Sequence, residues 1–312
     1  MAIDLPKGSY TGAIREIALG RDGQSSIVGG ESAFPFYLFE GEMPRRPIIG
    51  IEVNDVAAAA WPEVVRRPYA DVVADPAAWA RKAVASFGAE LVQLTLTSTD
   101  PNDRNAEAAV AAETARAVAD AVDVPVCVWG STNAAKDAEV LRAAAERCAG
   151  RRLLIGPIQK ENYRQIGAGV IASGHIAVAS SPIDINLAKQ LNVLLANLGV
   201  PADRIVLDPT VGGLGYGLEY TYSVMERVRM AALAQQEDQL RYPMYCNLAN
   251  EVWKVKEATA EDERLGDVEK RGVLMEAVTA ATLLVAGADV LVMRHPEAIA
   301  LVRRLVADLG VA

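Results

Sequence analysis

Eight short runs of β-branched and apolar residues alternate with longer amphipathic segments from Pro47 to the end of the chain. This alternation is typical of a parallel sheet whose strands are joined by crossover helices. An open doubly wound sheet typically has fewer strands, and no G-x-G-x-x-G motif follows the first run. The pattern therefore predicts a (β/α)8 (TIM) barrel, with strands at residues 48–53, 91–96, 126–129, 153–155, 176–179, 205–207, 244–246 and 290–293.

The segments between these runs carry helix start and stop signals. In the fifth, Ser181 is placed to cap, Pro182 to occupy the first helical position and Asp184 to complete an acidic capping box. Leucines follow at helical spacing, and Gly199 and Pro201 end the segment. The predicted helices cover residues 76–87, 105–121, 135–149, 162–172, 182–198, 220–234, 269–286 and 296–309.

The length and apolar content predict one large domain. With 312 residues and 51% hydrophobic content, the chain can bury a single barrel core. We assign residues 47–312 to that barrel and residues 1–46 to an N-terminal extension. Gly29-Gly30 and residues 31–43 suggest a hairpin or irregular segment covering one barrel end. Long connections at 54–75 and 248–268 leave strand carboxyl ends, where loops build the functional face of this fold.

Composition limits the partners and the compartment. The net charge of −9 has the wrong sign for binding nucleic acid through its phosphates. The three cysteines are scattered without a C-x-x-C motif, so neither a disulfide framework nor a self-contained metal or iron–sulfur site is expected. The N-terminus lacks signal-peptide features and no apolar stretch reaches the roughly 18 residues of a membrane span. We expect a cytoplasmic protein without a membrane partner.

The richest candidate segment is residues 205–217, where a buried strand ends in Asp208 and a glycine-rich loop follows. Glycines let backbone N–H groups approach a large ligand closely. The alternative is a flexible loop in which Asp208 caps a turn. Of the two histidines, His175 precedes its strand and is expected to be structural, whereas His295 leaves the last strand and could contact a ligand or cap a helix.

Most other residues at the predicted strand ends are small, hydroxylic or amide-bearing. Such side chains favour binding over turnover, so we predict neither catalytic residues nor metal ligands. Helix capping is the alternative role for Ser180, Ser181 and Asn162. The candidates are Thr97, Ser98, Thr99, Trp129, Gly130, Gln159, Glu161, Asn162, Ser180, Ser181 and Asn247.

Several motifs, in order along the chain, resemble one family. They are Phe39-Glu-Gly-Glu42, Arg46-Pro47 with Ile49-Gly-Ile-Glu-Val53, Ser181-Pro-Ile-Asp-Ile-Asn186 with Lys189-Gln-Leu-Asn192, Asp208-Pro-Thr-Val-Gly-Gly-Leu-Gly-Tyr-Gly217, Ser223-Val-Met-Glu-Arg227 and Met293-Arg-His-Pro-Glu297. Together they are similar to the small subunit of the corrinoid iron–sulfur protein, also called the acetyl-CoA decarbonylase/synthase delta subunit.

The resemblance implies a heterodimer in which this barrel caps cobalamin held mainly by a large corrinoid iron–sulfur subunit, whose cysteines ligate a [4Fe–4S] cluster. It also implies transfer of a methyl group from a methyltetrahydrofolate (or related pterin) methyltransferase to CO dehydrogenase/acetyl-CoA synthase. A packed cap would exclude water from the cobalt. The residues expected near the corrin are Asp208, Thr210, Gly212, Gly213, Leu214, Tyr216, Asn247 and Arg294.

Two other functions remain open. The Asp-Pro and glycine-rich turn is also similar to pterin-binding barrels, which suggests a stand-alone pterin-dependent methyltransferase. A pterin pocket requires carboxylates or amides at several strand ends to match the donors and acceptors of the ring. The third predicted strand ends in Trp129-Gly130 and the fourth in Gly156-Pro157, so these two strands do not supply such groups. The third possibility is a scaffold that binds no ligand.

Overall fold

The computed structural model describes residues 6–21 and 26–310 and shows a closed barrel of eight parallel strands. Each strand is buried along nearly its whole length, as expected for a parallel barrel covered by helices. The barrel strands are β3 (Ile48–Asn54), β4 (Leu91–Thr95), β5 (Val126–Trp129), β6 (Leu154–Ile158), β7 (Ile176–Ser180), β8 (Ile205–Asp208), β9 (Met244–Asn247) and β10 (Ala288–Met293). Their closed order, β10-β3-β4-β5-β6-β7-β8-β9, confirms the predicted (β/α)8 fold.

Helices cover the outside of the barrel, and the first of the long ones shows how local chemistry sets their ends. Asp75 accepts hydrogen bonds from the N–H groups of Ala77 and Ala78, Pro76 occupies the first position, and Gly88 ends the helix with a φ of 64°. The helices are α1 (Glu63–Arg66), α2 (Pro76–Phe87), α3 (Ala108–Ala121), α4 (Ala134–Arg147), α5 (Tyr163–Ser173), α6 (Ile185–Leu198), α7 (Leu218–Leu233), α8 (Ala249–Val252), α9 (Lys256–Thr259), α10 (Val268–Val285) and α11 (Pro296–Asp308).

The predicted start of the fifth long helix is wrong. α6 begins at Ile185, and Asp184 is its N-cap, accepting from the N–H groups of Asn186 and Leu187. Ile183 has a φ of 49°, a left-handed conformation that no helical residue adopts, so Ser181 and Pro182 belong to the preceding turn. The long connections are not structureless either, because the first contains α1 and the second contains α8 and α9.

The N-terminal extension forms a hairpin earlier than the glycine pair suggested. Strands β1 (Ile17–Leu19) and β2 (Ser26–Val28) pair antiparallel before Gly29. Arg15 N–H donates to the Arg241 carbonyl, and the Arg152 guanidinium donates to the Ala18 carbonyl. Both partners precede barrel strands, so the extension lies across the amino-terminal end of the barrel and leaves the opposite mouth open.

A buried ion cluster ties this extension to the barrel. Arg229 of α7 donates to Asp289 of β10 at 2.5 Å, and both side chains are fully buried. Glu31, directly after the hairpin, is 4% exposed in the same cluster, where burial and the Asp289 carboxylate raise its pKa well above the usual value. A buried carboxylate without a cation beside it would be costly, so Arg229 stabilises the buried Asp289, which in turn lies beside Glu31.

His175 has the structural role expected of it. Its Nδ1 accepts from Leu153 N–H at 3.0 Å, and Nε2 lies 2.9 Å from the Ala145 carbonyl. Burial lowers the pKa of this imidazole, which favours the neutral ring that can accept at one nitrogen and donate at the other.

Candidate functional site

Polar side chains converge where the barrel strands end, and they surround a small open cavity of about 120 Å³. Residues at the carboxyl ends of five strands, β5 to β9, and in the first turn of α8 contribute to it. This is the face on which barrels of this architecture carry their ligand sites. The lining residues are Trp129, Thr132, Pro157, Gln159, Ser180, Asp208, Thr210, Val211, Gly212, Asn247, Asn250 and Glu251. We call this cavity and its lining the mouth cavity.

Asp208 is the central titratable group of the mouth cavity. The Ser180 hydroxyl donates to its Oδ2 at 2.7 Å, and Thr210 N–H donates to its Oδ1 at 2.9 Å. The carboxyl is 2% exposed, and burial raises its pKa to about 6 although both hydrogen bonds act in the opposite direction. Asp208 therefore stabilises the turn, as one of its two predicted roles requires, and also presents a carboxylate to the mouth.

The glycine-rich loop that follows Asp208 lies over one side of the mouth. A Cβ atom on Gly212 would meet no atom within 4 Å, so open space faces this part of the backbone. Gly213 is buried beside Ile183, and Leu214 packs partly against the core. Tyr216, at the turn of the loop, is 92% exposed. The loop thus offers backbone and one free aromatic ring to anything that lies across the mouth.

Asn247, at the end of β9, has an unsatisfied buried atom. The residue is 7% exposed, and its Oδ1 has no hydrogen-bond partner among residues 6–21 and 26–310. An unpaired buried polar atom costs about 1–3 kcal/mol. Since the side chain lines the mouth cavity, a ligand donor there would remove that cost.

A continuous series of hydrogen-bonded polar side chains fills the barrel interior beneath the mouth. Tyr245 stacks on Trp129 across the barrel, with ring centroids 5.9 Å apart, and donates to Gln93 at 2.6 Å. Gln93 donates to Thr95, and the Thr95 hydroxyl donates to Glu52 at 2.7 Å. The interior is therefore packed, and a ligand cannot pass below Trp129.

Arg294 is the last member of this series of hydrogen bonds, and its guanidinium is largely engaged there. Its Nε donates to Glu52 at 2.8 Å, and its guanidinium lies 4.0 Å from the centroid of the Trp61 ring. Only 4% of the residue is exposed. Behind it, Glu276 accepts from the N–H groups of Arg294 and His295, while burial raises the pKa of Glu276 to about 7. The pair Glu52–Arg294 holds the carboxyl end of β10.

The structure brings part of the predicted corrin-facing set together. Asp208, Thr210, Gly212 and Asn247 line one cavity, whereas Gly213, Leu214 and Tyr216 lie in the loop beside it. Arg294 lies in the barrel interior. Their contact with a corrin stays a prediction, since geometry alone places them near the mouth and not against a ligand.

The alternative role of helix capping is wrong for Ser180 and Ser181 and holds only by position for Asn162. Asn162 is the N-cap residue of α5, but its side chain makes no capping hydrogen bond and instead accepts from Gln159 N–H at 2.8 Å. Ser180 donates to Asp208. The Ser181 hydroxyl is buried without a partner in the described part of the chain. His295, in contrast, caps α11 by accepting from Glu297 N–H at 3.2 Å.

Sequence reasoning missed three residues of the mouth cavity, Thr132, Asn250 and Glu251. Asn250 and Glu251 belong to α8, which sits inside a connection that the sequence left unstructured. The interior acids and amides had a usable signal, because Glu52 and Gln93 interrupt otherwise apolar strand runs. Within residues 6–21 and 26–310, no group of three or more His, Cys, Asp or Glu side chains is arranged to hold a metal ion.

Solved structures with the same architecture include dihydropteroate synthases. One from Xanthomonas albilineans superposes with a TM-score of 0.59 at 16% identity, covering 96% of this chain and 100% of that chain. One from Yersinia pestis gives a TM-score of 0.60 at 14% identity, covering 86% and 95%. The molecule is thus a (β/α)8 barrel protein of the kind seen in these synthases, with a polar and shallow mouth.

Sequence similarity identifies the family to which this chain belongs. A model of the CO dehydrogenase/acetyl-CoA synthase delta subunit matches residues 16–308. Delta subunits of the acetyl-CoA decarbonylase/synthase complex are 37% identical in Methanosarcina thermophila (delta 1; 96% of this chain, 71% of the relative) and 38% identical in Archaeoglobus fulgidus (97% and 70%). This chain belongs to the delta subunit family, and the resemblance seen in its motifs is confirmed.

No described helix combines the length and apolar character that crossing a bilayer requires.

Proposed function

We propose that this chain is the small subunit of a cytoplasmic corrinoid iron–sulfur methyl carrier, and that its barrel mouth covers a cobalamin shared with a large subunit. The large subunit would supply the [4Fe–4S] cluster. When bound, the corrinoid supplies a cobalt that accepts a methyl group from a pterin-dependent methyltransferase and donates it to acetyl-CoA synthase. The relatives' names place them in one multi-subunit complex, which supports this division of labour.

The shallowness of the mouth is the observation that carries the proposal. Sites that enclose a small molecule usually measure about 300–1,000 Å³, whereas the space at the mouth is divided between the mouth cavity of about 120 Å³ and an adjoining cavity of about 280 Å³ that shares Gln159 and Ser180. Trp129 and Tyr245 close it from below. A ligand can therefore contact the mouth only from above, as a large flat ring held mainly by another protein would. A stand-alone pterin site needs a deeper pocket, so the geometry favours the shared-ligand function.

The donor set of the mouth also fits a corrinoid. Its side chains are mainly amides and hydroxyls, which match the amide groups around a corrin ring. Asp208, Asn247 and the backbone at Gly212 would hold the ring edge. A packed cap of this kind excludes water from the face it covers and orients the ring. This chain then contributes binding and shielding, and no acid–base step is assigned to its residues.

A second surface is suited to holding the large subunit. A groove of about 700 Å³ lies between residues 34–39 and helices α7, α10 and α11, and its walls are largely apolar. Tyr37, Phe39, Met230 and Val285 line it and are each more than 40% exposed. Contiguous exposed apolar side chains can mark protein–protein contacts. Because the relatives are subunits of a complex, we assign the groove to the large subunit.

The test is co-expression with a candidate large subunit, followed by size exclusion with visible spectroscopy of each peak. We expect one peak with both chains and corrinoid absorbance, and weaker absorbance when this chain is omitted. Met230→Glu should abolish co-elution because it places a charge in the groove. The control Ile171→Glu, on the exposed face of α5, should not.

Two results would contradict the proposal. Elution of this chain alone and colourless would remove the shared-ligand function, and tight one-to-one binding of methyltetrahydrofolate by the isolated chain would favour the pterin alternative. Co-elution with corrinoid absorbance that is unaffected by Asp208→Leu or Tyr216→Ser would favour a scaffold that does not touch the ligand.

A further inference from the structure

The mouth cavity is too small for a pterin or a corrin ring and large enough for one polar substituent. Its volume of about 120 Å³ is comparable to the engineered cavity of about 150 Å³ that holds a single benzene molecule. A short side chain ending in a primary amide is smaller than benzene in cross-section. One such group can descend into the cavity while the rest of the ligand stays above the mouth.

Asn247 indicates which chemical group belongs there. The residue is more than nine-tenths buried, lines the cavity and has an Oδ1 atom with no partner among the described residues. A carboxamide carries two donors and one acceptor, so two carboxamides can pair through two N–H···O bonds. Because the Asn247 amide can be turned by 180° about its Cβ–Cγ bond, a ligand amide can donate to Oδ1 or accept from Nδ2, depending on which end faces the mouth. A ligand amide is therefore complementary to this side chain.

The charges around the cavity select against the corresponding acid. Asp208 and Glu251 both line it, and Asp208 already accepts from Ser180 and Thr210. A ligand carboxylate would meet two like charges in a partly desolvated site, which is unfavourable. A neutral amide can instead donate one N–H to Asn247 and the other to a free lone pair of Asp208. Gln159, which also lines the cavity, carries an amide that suits the same chemistry.

From this geometry we infer that the mouth cavity is a subsite for one primary carboxamide on the periphery of the ligand that covers the mouth, paired with Asn247. The inference rests on the proposed function, because it takes that ligand to be an amide-bearing corrinoid. The subsite sets the rotation of the ring over the mouth, since a single substituent anchored off-centre removes the freedom to turn. Asn247 is then a binding and orienting residue.

The test compares two probes on the reconstituted complex with the large subunit. Dicyanocobinamide carries primary amides on the ring periphery, and dicyanocobyrinic acid heptamethyl ester carries methyl esters on the same ring. Affinity is read from visible absorbance and from quenching of tryptophan fluorescence. Asn247→Leu is nearly isosteric, and we expect it to weaken cobinamide binding about fivefold to tenfold, the value of one or two net hydrogen bonds. It should weaken binding of the ester less, because an ester carbonyl can accept from the Asn247 amide but an ester has no N–H to donate.

Two further variants complete the design. Asn197→Leu removes an exposed amide at the carboxyl end of α6, away from the mouth, and should change neither affinity. Gly212→Val adds a side chain where no atom lies within 4 Å, so it should fold normally and still weaken cobinamide binding by crowding the cavity. It therefore tests the subsite even if Asn247→Leu does not fold.

The outcomes separate the two levels of inference. Equal effects of Asn247→Leu on both probes, or no effect on either, would overturn the carboxamide subsite while leaving the shared-corrinoid function in place. Tighter binding of a probe with free carboxylates than of cobinamide would also overturn it. Absence of corrinoid binding by the wild-type complex would instead overturn the proposed function itself.

Discussion

Replacement of Asp208 by asparagine should stabilise the protein at neutral pH. The amide keeps both native contacts, because Oδ1 can accept from Thr210 N–H and Nδ2 can donate to the Ser180 oxygen. What it removes is the charge. Burial raises the pKa of Asp208 from 3.8 to about 6, and this rise corresponds to about 3 kcal/mol of stability that ionisation takes away.

The sign of the pH dependence follows from the direction of that shift. The folded state binds the Asp208 proton more tightly than the unfolded chain, so the stability linked to this proton is fully present below pH 3.8 and is lost as the pH rises through about 6. The amide of Asp208→Asn does not ionise, so the variant does not lose this stability as the pH rises. The variant and the wild type should therefore be equally stable near pH 4, and the variant should be more stable by up to about 3 kcal/mol above pH 7.

Urea unfolding followed by circular dichroism at several pH values measures this difference. Only the difference between the two proteins is informative, since Glu276, with its pKa raised to about 7, titrates in both. A variant less stable than the wild type at pH 7.5, or a difference that does not vary with pH, would refute the assigned burial cost of Asp208. Weaker corrinoid retention by the more stable variant would indicate that the charge is kept for binding.

Three further perturbations test the buried framework, each by urea unfolding. Arg229→Met leaves Asp289 buried without a cation and should cost about 3–5 kcal/mol, and a cost below about 1 kcal/mol would contradict the cluster. Glu52→Leu should destabilise the protein by a similar amount because the buried Arg294 loses its partner. The double variant Glu52→Leu/Arg294→Met should recover most of the lost stability. Additive costs of the two substitutions would show that the side chains are not coupled. Gly29→Ala should destabilise the N-terminal extension, because the φ of Gly29 is 88° and the new Cβ would lie 2.1 Å from a backbone oxygen. We therefore also expect faster proteolysis of the extension. Unchanged stability and unchanged cleavage would count against this close contact.

Much of the fold was predictable because its signals are local. Helix ends depend on nearby residues, as Asp75, Pro76 and Gly88 show at α2. The prediction failed at α6 because Ile183 adopts a left-handed φ that an aliphatic side chain disfavours. Its N–H donates to the Pro209 carbonyl after β8, a tertiary contact that local signals do not encode. Where several possible capping residues lie close together, the sequence alone can therefore place the start of a helix at the wrong residue.

The candidate site was only partly predictable. Asp208 and Asn247 end their strands, so the barrel pattern alone placed them at the mouth. Asn250 and Glu251 were missed since they become neighbours of Asp208 only through the short helix α8. Arg294 was expected at the ligand, but its guanidinium lies between Glu52 and Trp61, which come from distant parts of the chain.

By itself, the sequence determined the barrel, the face that carries the site and the family, because strand alternation, turn residues and short motifs are properties of neighbouring residues. Tertiary structure alone decided which side chains share an environment. Gln93 and Tyr245 are hydrogen-bonded although 152 positions separate them, and this contact helps to make the mouth shallow. Burial, charge pairing and an unsatisfied amide depend on distance in space, which periodicity along the chain does not encode.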